Sequence, residues 1–135
     1  MSESLKSVGA ITLFVESPKQ SKAFYEKAFE LSPIYEDDDS TAFKFENTIV
    51  NLLAIRAAGD LIAPGAVAGP GSGSSFQLTI WVDDADATCA ELAKRGVKLL
   101  NGPLDRDWGM RTASFTDPDG HIWEIAQELA GAGSS

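Results

Sequence analysis

Residues 8–15 alternate. Ile11, Leu13 and Val15 line one side of an extended segment, and Ala10, Thr12 and Phe14 the other. That is the period of a half-buried strand. A helix start follows: Ser17 suits an N-cap, Pro18 suits the first helical position, and Gln20 lies three residues after Ser17, as in a capping box. Phe24, Ala28 and Leu31 then recur at helical spacing. Three short strands are predicted next, at 34–36, 41–45 and 48–55, with the acidic turn Asp37-Asp38-Asp39-Ser40 after the first and Glu46-Asn47 after the second. Asn51 breaks the apolar run of the third and calls for a reason. Residues 57–75 are rich in Gly, Ala, Pro and Ser and read as a flexible linker, a tether without regular structure.

The pattern then restarts. Leu78, Ile80 and Val82 form one face of a strand over 76–82, and Gln77, Thr79 and Trp81 the other. Asp83 or Asp84 caps a helix expected over 85–95, with Ala85, Cys89 and Leu92 at helical spacing and Gly96 as its stop. Residues 97–100 read as a strand and Asn101-Gly102-Pro103 as a turn. A hairpin closes the chain: Trp108-Gly109-Met110-Arg111 leads into a strand to Thr116, Asp117-Pro118-Asp119-Gly120 turns, and 121–127 returns. On the returning strand His121, Trp123 and Ile125 share one face, and Ile122, Glu124 and Ala126 the other. A carboxylate mid-strand, opposite a bulky Trp, calls for a reason as Asn51 does. Residues 130–135 read as a frayed tail of small residues.

The two halves match. Ile11-Thr12-Leu13-Phe14-Val15 aligns with Leu78-Thr79-Ile80-Trp81-Val82 at an offset of 67 residues. Both strands lead into an N-capped helix, and three strand signals follow each. Such a period means two copies of one strand-helix-strand-strand-strand unit. The aliphatic strand face of each copy needs its own helix as cover. The more polar face, with Thr12, Phe14, Asn51, Gln77, Thr79, Trp81 and Glu124, is left to look the other way, and two such sheets are expected to curl around a shared cavity.

Composition narrows the function. A chain of 135 residues suits one domain with one sizeable core. The formal charge of −9 argues against nucleic acid; solubility is its simplest reading, and it mildly favours a cationic partner through long-range attraction. No apolar run approaches the ~20 residues of a membrane span, so no membrane role is expected. Residues 1–6 lack the layout of a signal peptide, and Cys89, the single cysteine, allows no internal disulfide; a cytoplasmic location is the expectation.

Ser21-Lys22-Ala23-Phe24-Tyr25, the turn Asp117-Pro118-Asp119-Gly120 followed by Trp123-Glu124, and the repeat itself make the chain resemble the vicinal oxygen chelate superfamily over residues 8–128. That superfamily includes glyoxalase I, extradiol dioxygenases and the fosfomycin- and bleomycin-resistance proteins. Trp108-Gly109-Met110-Arg111 is similar to the Trp-Gly motif of the bleomycin-resistance branch. The resemblance implies an α+β fold, a single domain over 1–135 in which two βαβββ modules, 8–56 and 76–128, form a curved mixed sheet around a cavity. It implies a homodimer as well.

Metal enzymes of the superfamily place their ligands at positions that fall here on Ala10, Asn51, Gln77 and Glu124. Glu124 is a good ligand, the two amides are weak ones, and Ala10 offers no donor. His121, the single histidine, points away from Glu124 by strand parity and reads as a turn-flanking surface residue. A catalytic zinc takes three good protein ligands. No cofactor is therefore expected, and a divalent metal, if bound, would rest on Glu124 with Gln77. The lining suits an organic guest better: Phe14, Trp81 and the loop residue Trp108 as aromatic walls, Glu124 as anchor for a cationic group. The candidate ligand-binding residues are Trp108, Glu124, Trp81, Phe14, Gln77, Asn51, Thr12 and Arg111, with no catalytic residue among them. Arg111 shares parity with Ala113 and Phe115, which also makes it a candidate structural ion-pair partner. The leading reading is a non-catalytic protein binding a small cationic or aromatic molecule, antibiotic-like in kind, as bleomycin-resistance proteins do. The alternatives are a metal-dependent glyoxalase-type lyase or dioxygenase, and a metabolite-binding accessory or sensor domain.

Overall fold

The structure is a computed structural model that describes residues 5–69 and 71–129. The chain divides into two units after Gly69. In the first, β1 (Ala10–Val15) leads into α1 (Pro18–Phe29), and β2 (Pro33–Glu36), β3 (Ser40–Lys44), β4 (Ile49–Ala54) and α2 (Ile55–Ile62) follow. In the second, β5 (Gln77–Trp81) leads into α3 (Ala85–Lys94), then β6 (Leu99–Asp105), β7 (Met110–Thr116) and β8 (Ile122–Glu128). The sheet orders are β1-β4-β3-β2 and β5-β8-β7-β6. Each unit is the predicted βαβββ arrangement, and its first strand runs parallel to its last.

The expected caps form. Ser17 Oγ accepts from the Gln20 amide at 3.1 Å, and Asp84 Oδ1 from the Ala87 amide at 3.0 Å. Each satisfies a donor that the helix itself leaves open. Both helices cover their own sheet's aliphatic side. In the first unit Leu13, Val15, Phe43, Val50 and Leu52 are buried under α1. The buried face of α1 is not centred on Phe24, as its spacing suggested. Pro18, Ser21, Tyr25 and Ala28 carry it. Tyr25 is fully enclosed, 5.9 Å from the Phe43 ring and stacked on Phe29 at 5.7 Å, while Phe24 packs edge-on at its margin. In the second unit Ala113, Phe115, Trp123 and Ile125 are buried with Cys89 and Leu92 of α3. Each such large side chain contributes about 1.5–3 kcal/mol.

Two segments differ from expectation. Ile55–Ile62 form α2, which takes in the first six residues of the 57–75 segment read as linker. Ala58 is fully buried in it, and the helix packs on β1 and β4; docking of one face stabilises a helix that its composition alone would not. Asn101-Gly102-Pro103 is no turn but the irregular middle of β6, where the pairing with β7 shifts register. Gly102 sits at φ 88°, and a Cβ there would meet the Thr112 carbonyl and lie 2.7 Å from Ala113 Cα. The close approach of β6 to β7 thus needs both the missing side chain and the positive φ.

Substitution Gly102→Ala is expected to destabilise the protein by about 2–4 kcal/mol, from left-handed backbone plus overpacking against a strand. A drop in the urea midpoint at unchanged slope checks this; an unchanged midpoint refutes the account of the bulge.

Candidate functional site

The parallel register of β5 and β8 sets Thr79 beside Glu124, and the antiparallel register of β7 sets Ser114 against Glu124 and Thr112 against Ala126. Side chains of paired residues share a face. The face of the second sheet away from α3 therefore carries Gln77, Thr79 and Trp81 on one strand, Glu124 on the next, and Thr112 and Ser114 on the third. Thr79 Oγ1 donates to Glu124 Oε1 at 3.0 Å. Trp81 is 73% exposed, so it is no core residue. Trp123, one position from Glu124, is 2% exposed on the helix side. The same residue type serves opposite purposes by parity alone.

On the first sheet the equivalent face holds Thr12 beside Asn51, and Phe14 beside Leu53. Asn51 and Phe14 are half-buried and Thr12 is exposed. Asn51 is also flanked by Ala42 on β3. A cavity of about 330 Å³ in this unit lies elsewhere, between the start of α1 and the acidic turn. Its Lys22 is already paired with Glu36 at 3.0 Å, which leaves the lining largely self-neutralised.

Arg111 lies on the helix side, as its parity implied. Nε and Nη2 bond Asp105 at 2.6 and 3.2 Å, and Nη1 bonds Asp86 of α3 at 2.9 Å. These bonds make Arg111 a clamp joining β6, β7 and α3, the structural ion-pair role also considered for it. The forked hydrogen bonds hold the Asp105 carboxyl below, and the guanidinium above, their ordinary pKa values.

Arginine enters the open face from a residue not foreseen. Arg106 opens the β6–β7 loop, which its amide closes by donating to the Met110 carbonyl at 2.7 Å. Its Nε donates to Thr112 Oγ1 at 2.9 Å, and its guanidinium lies 6.0 Å from the centre of the Trp108 ring. Thr112 is buried, and Trp108 is 67% exposed. The available signal was position: Arg106 stands two residues before Trp108, and Thr112 belongs to the polar side of its strand.

His121 is not a free surface residue. Its Nδ1 lies 2.7 Å from Asp117 Oδ2, while Asp117 Oδ1 accepts the amides of Asp119 and His121 at 3.0 and 2.9 Å. The Asp117 side chain is fully enclosed, so this carboxylate is the internal strut of the last turn. Burial disfavours the imidazolium, but the hydrogen bond and charge of Asp117, with that of Asp119, outweigh it and raise the His121 pKa.

The donor set near Glu124 does not fit a catalytic zinc. It consists of one carboxylate, the Thr79 and Ser114 hydroxyls and the Gln77 amide on the same face, with His121 committed to Asp117. Among the described residues no group of three or more His, Cys, Asp or Glu side chains is placed to hold a metal ion. No helix among them is long and apolar enough to cross a membrane.

The sequence model of the Glyoxalase/Bleomycin resistance protein/Dioxygenase superfamily matches residues 7–125. The chain belongs to that superfamily. It is 32% identical over 123 residues to the uncharacterized protein YraH of Bacillus subtilis (strain 168), covering 88% of this chain and 96% of that protein. Among solved structures it resembles a glyoxalase/bleomycin resistance protein/dioxygenase from Nocardioides, with TM-score 0.87, 20% identity, and 99% and 91% of the two chains covered. It also resembles a lactoylglutathione lyase from Agrobacterium tumefaciens, with TM-score 0.72, 15% identity, and 93% and 96% covered. These likenesses establish the superfamily fold.

The raised His121 pKa makes a pH-dependent contribution to stability. It is fully present below the unfolded value near 6.5 and is lost as pH rises through the folded value. NMR titration of the single imidazole is expected to give a midpoint above 6.5, and Asp117→Asn to lower it, since only the charge of Asp119 then opposes burial. A midpoint unmoved by Asp117→Asn would refute the pairing.

Proposed function

We propose that this superfamily member is a non-catalytic binding protein for a small aromatic molecule carrying a cationic group. The observation that carries this is Glu124: a carboxylate fixed by the Thr79 hydroxyl, on the open sheet face that also presents Trp81. A charge held there, with no cationic side chain paired to it among the described residues, is an anchor for an ammonium or similar group. Exposed indole faces add about 0.5–2 kcal/mol for a planar or cationic partner. Gln77, diagonal to Glu124 on β5, adds an amide to the same face, suited to orienting a guest rather than gripping a metal. The homodimeric state and the cytoplasmic location implied earlier belong to this reading.

Titration with bleomycin and with benzylamine, followed by tryptophan fluorescence, tests it. Quenching that saturates supports the reading. Trp108→Ala is expected to weaken binding about tenfold or more without lowering the thermal midpoint, and Glu124→Gln to remove the preference for cations. Absence of quenching by either compound overturns the proposal. So does stoichiometric zinc, nickel, manganese or iron retained through dialysis, which would favour the metal-dependent lyase or dioxygenase instead.

A further inference from the structure

We infer that Arg106 is the anion-reading residue of the same face, so that the guest carries a carboxylate or similar oxyanion as well as its cationic group. The inference rests on the proposed role of Glu124 and adds a second pole to it. Two arginines flank the β6–β7 loop, and their surroundings differ. Arg111 is saturated by Asp105 and Asp86 on the helix side. Arg106 spends only its Nε, on the Thr112 hydroxyl. Among the described residues its two terminal nitrogens meet no carboxylate, and its guanidinium lies 6.0 Å from the centre of the Trp108 ring. A guanidinium docked by one edge offers its remaining donors as a fork, the geometry that takes a carboxylate bidentately.

Position fits too. Thr112, the residue that holds Arg106, pairs with Ala126, and Glu124 pairs with Ser114, so Thr112 and Glu124 stand on one face at diagonal positions of neighbouring strands. Such positions lie about 7–8 Å apart. Glu124 and Arg106 do not bond each other; each is tied to a threonine instead. A benzene ring with substituents at its two ends is a rigid spacer on the scale of neighbouring strand positions, and the exposed indoles of Trp81 and Trp108 supply flat surfaces for such a ring.

The test compares para-(aminomethyl)benzoate, benzylamine and benzoate by isothermal titration. The first is expected to bind about tenfold or more tightly than benzylamine, as a charge-assisted pair predicts. Arg106→Gln should erase that advantage and leave benzylamine within about twofold, and Arg106→Lys, which keeps the charge without the fork, should fall between. Equal affinities of the first two compounds for the unaltered protein overturn the inference while leaving the cation anchor standing. An Arg106→Gln protein that loses benzylamine equally also overturns it. If no probe binds, the inference and the proposed function fall together.

Discussion

Parallel pairing of the first strand with the last, within each half, is the constraint on which the rest depends. It joins residues far apart in the chain at one register, and a slip of a single residue would turn every side chain to the wrong face. With the register as found, Leu78 lies beside Trp123 under α3, and Thr79 lies beside Glu124 on the open side. Burial and chemistry are thereby assigned together. The dry face holds Phe115, Trp123 and Ile125. The other face inherits the hydroxyls, the amide and the acid.

Elements with strong alternation or a strong cap were readable from residue order. Ser17 and Asp84 start helices because their side chains satisfy amides that the helix leaves open, a local effect that needs no tertiary context. α2 was not readable, because Ala57, Ala58 and Gly59 resemble their Gly- and Pro-rich sequel and only docking on β1 and β4 distinguishes them. The β6 irregularity was hidden for a related reason. Asn-Gly-Pro is turn chemistry, and the strand keeps it because Gly102 lets β6 touch the β7 backbone. Parity placed Glu124, Trp81 and Arg111 on their sides of the sheet. It carried no information on Arg106, which lies in a loop between Asp105 and Asp107 and looks like an ordinary surface charge.

Two aspartates show how the structure economises on loops. Asp37 Oδ1 accepts the amides of Asp39 and Ser40, and Asp117 Oδ1 accepts those of Asp119 and His121. In each case one oxygen closes a turn that backbone bonds alone would leave loose. The second oxygen then takes a side chain, the Tyr35 hydroxyl in one turn and the His121 imidazole in the other. The histidine is thereby built into the scaffold of the final hairpin, and the carboxylate of Glu124 is left without an imidazole partner.

Distribution of charge, more than its sum, separates the two faces of the second sheet. On the helix side Arg111 faces two aspartates, and its charge is consumed in holding β6, β7 and α3 together. On the open side Glu124 and Arg106 each rest on a hydroxyl. A hydroxyl positions a charged group without cancelling it, so both keep most of their capacity for an incoming partner. The contact of Arg106 with the exposed Trp108 ring is worth only about 0.5–1 kcal/mol, less than the about 1.5–3 kcal/mol of a hydrogen bond to a charged group. The guanidinium lies over the ring, and its in-plane terminal donors stay open to the oxyanion proposed for the guest.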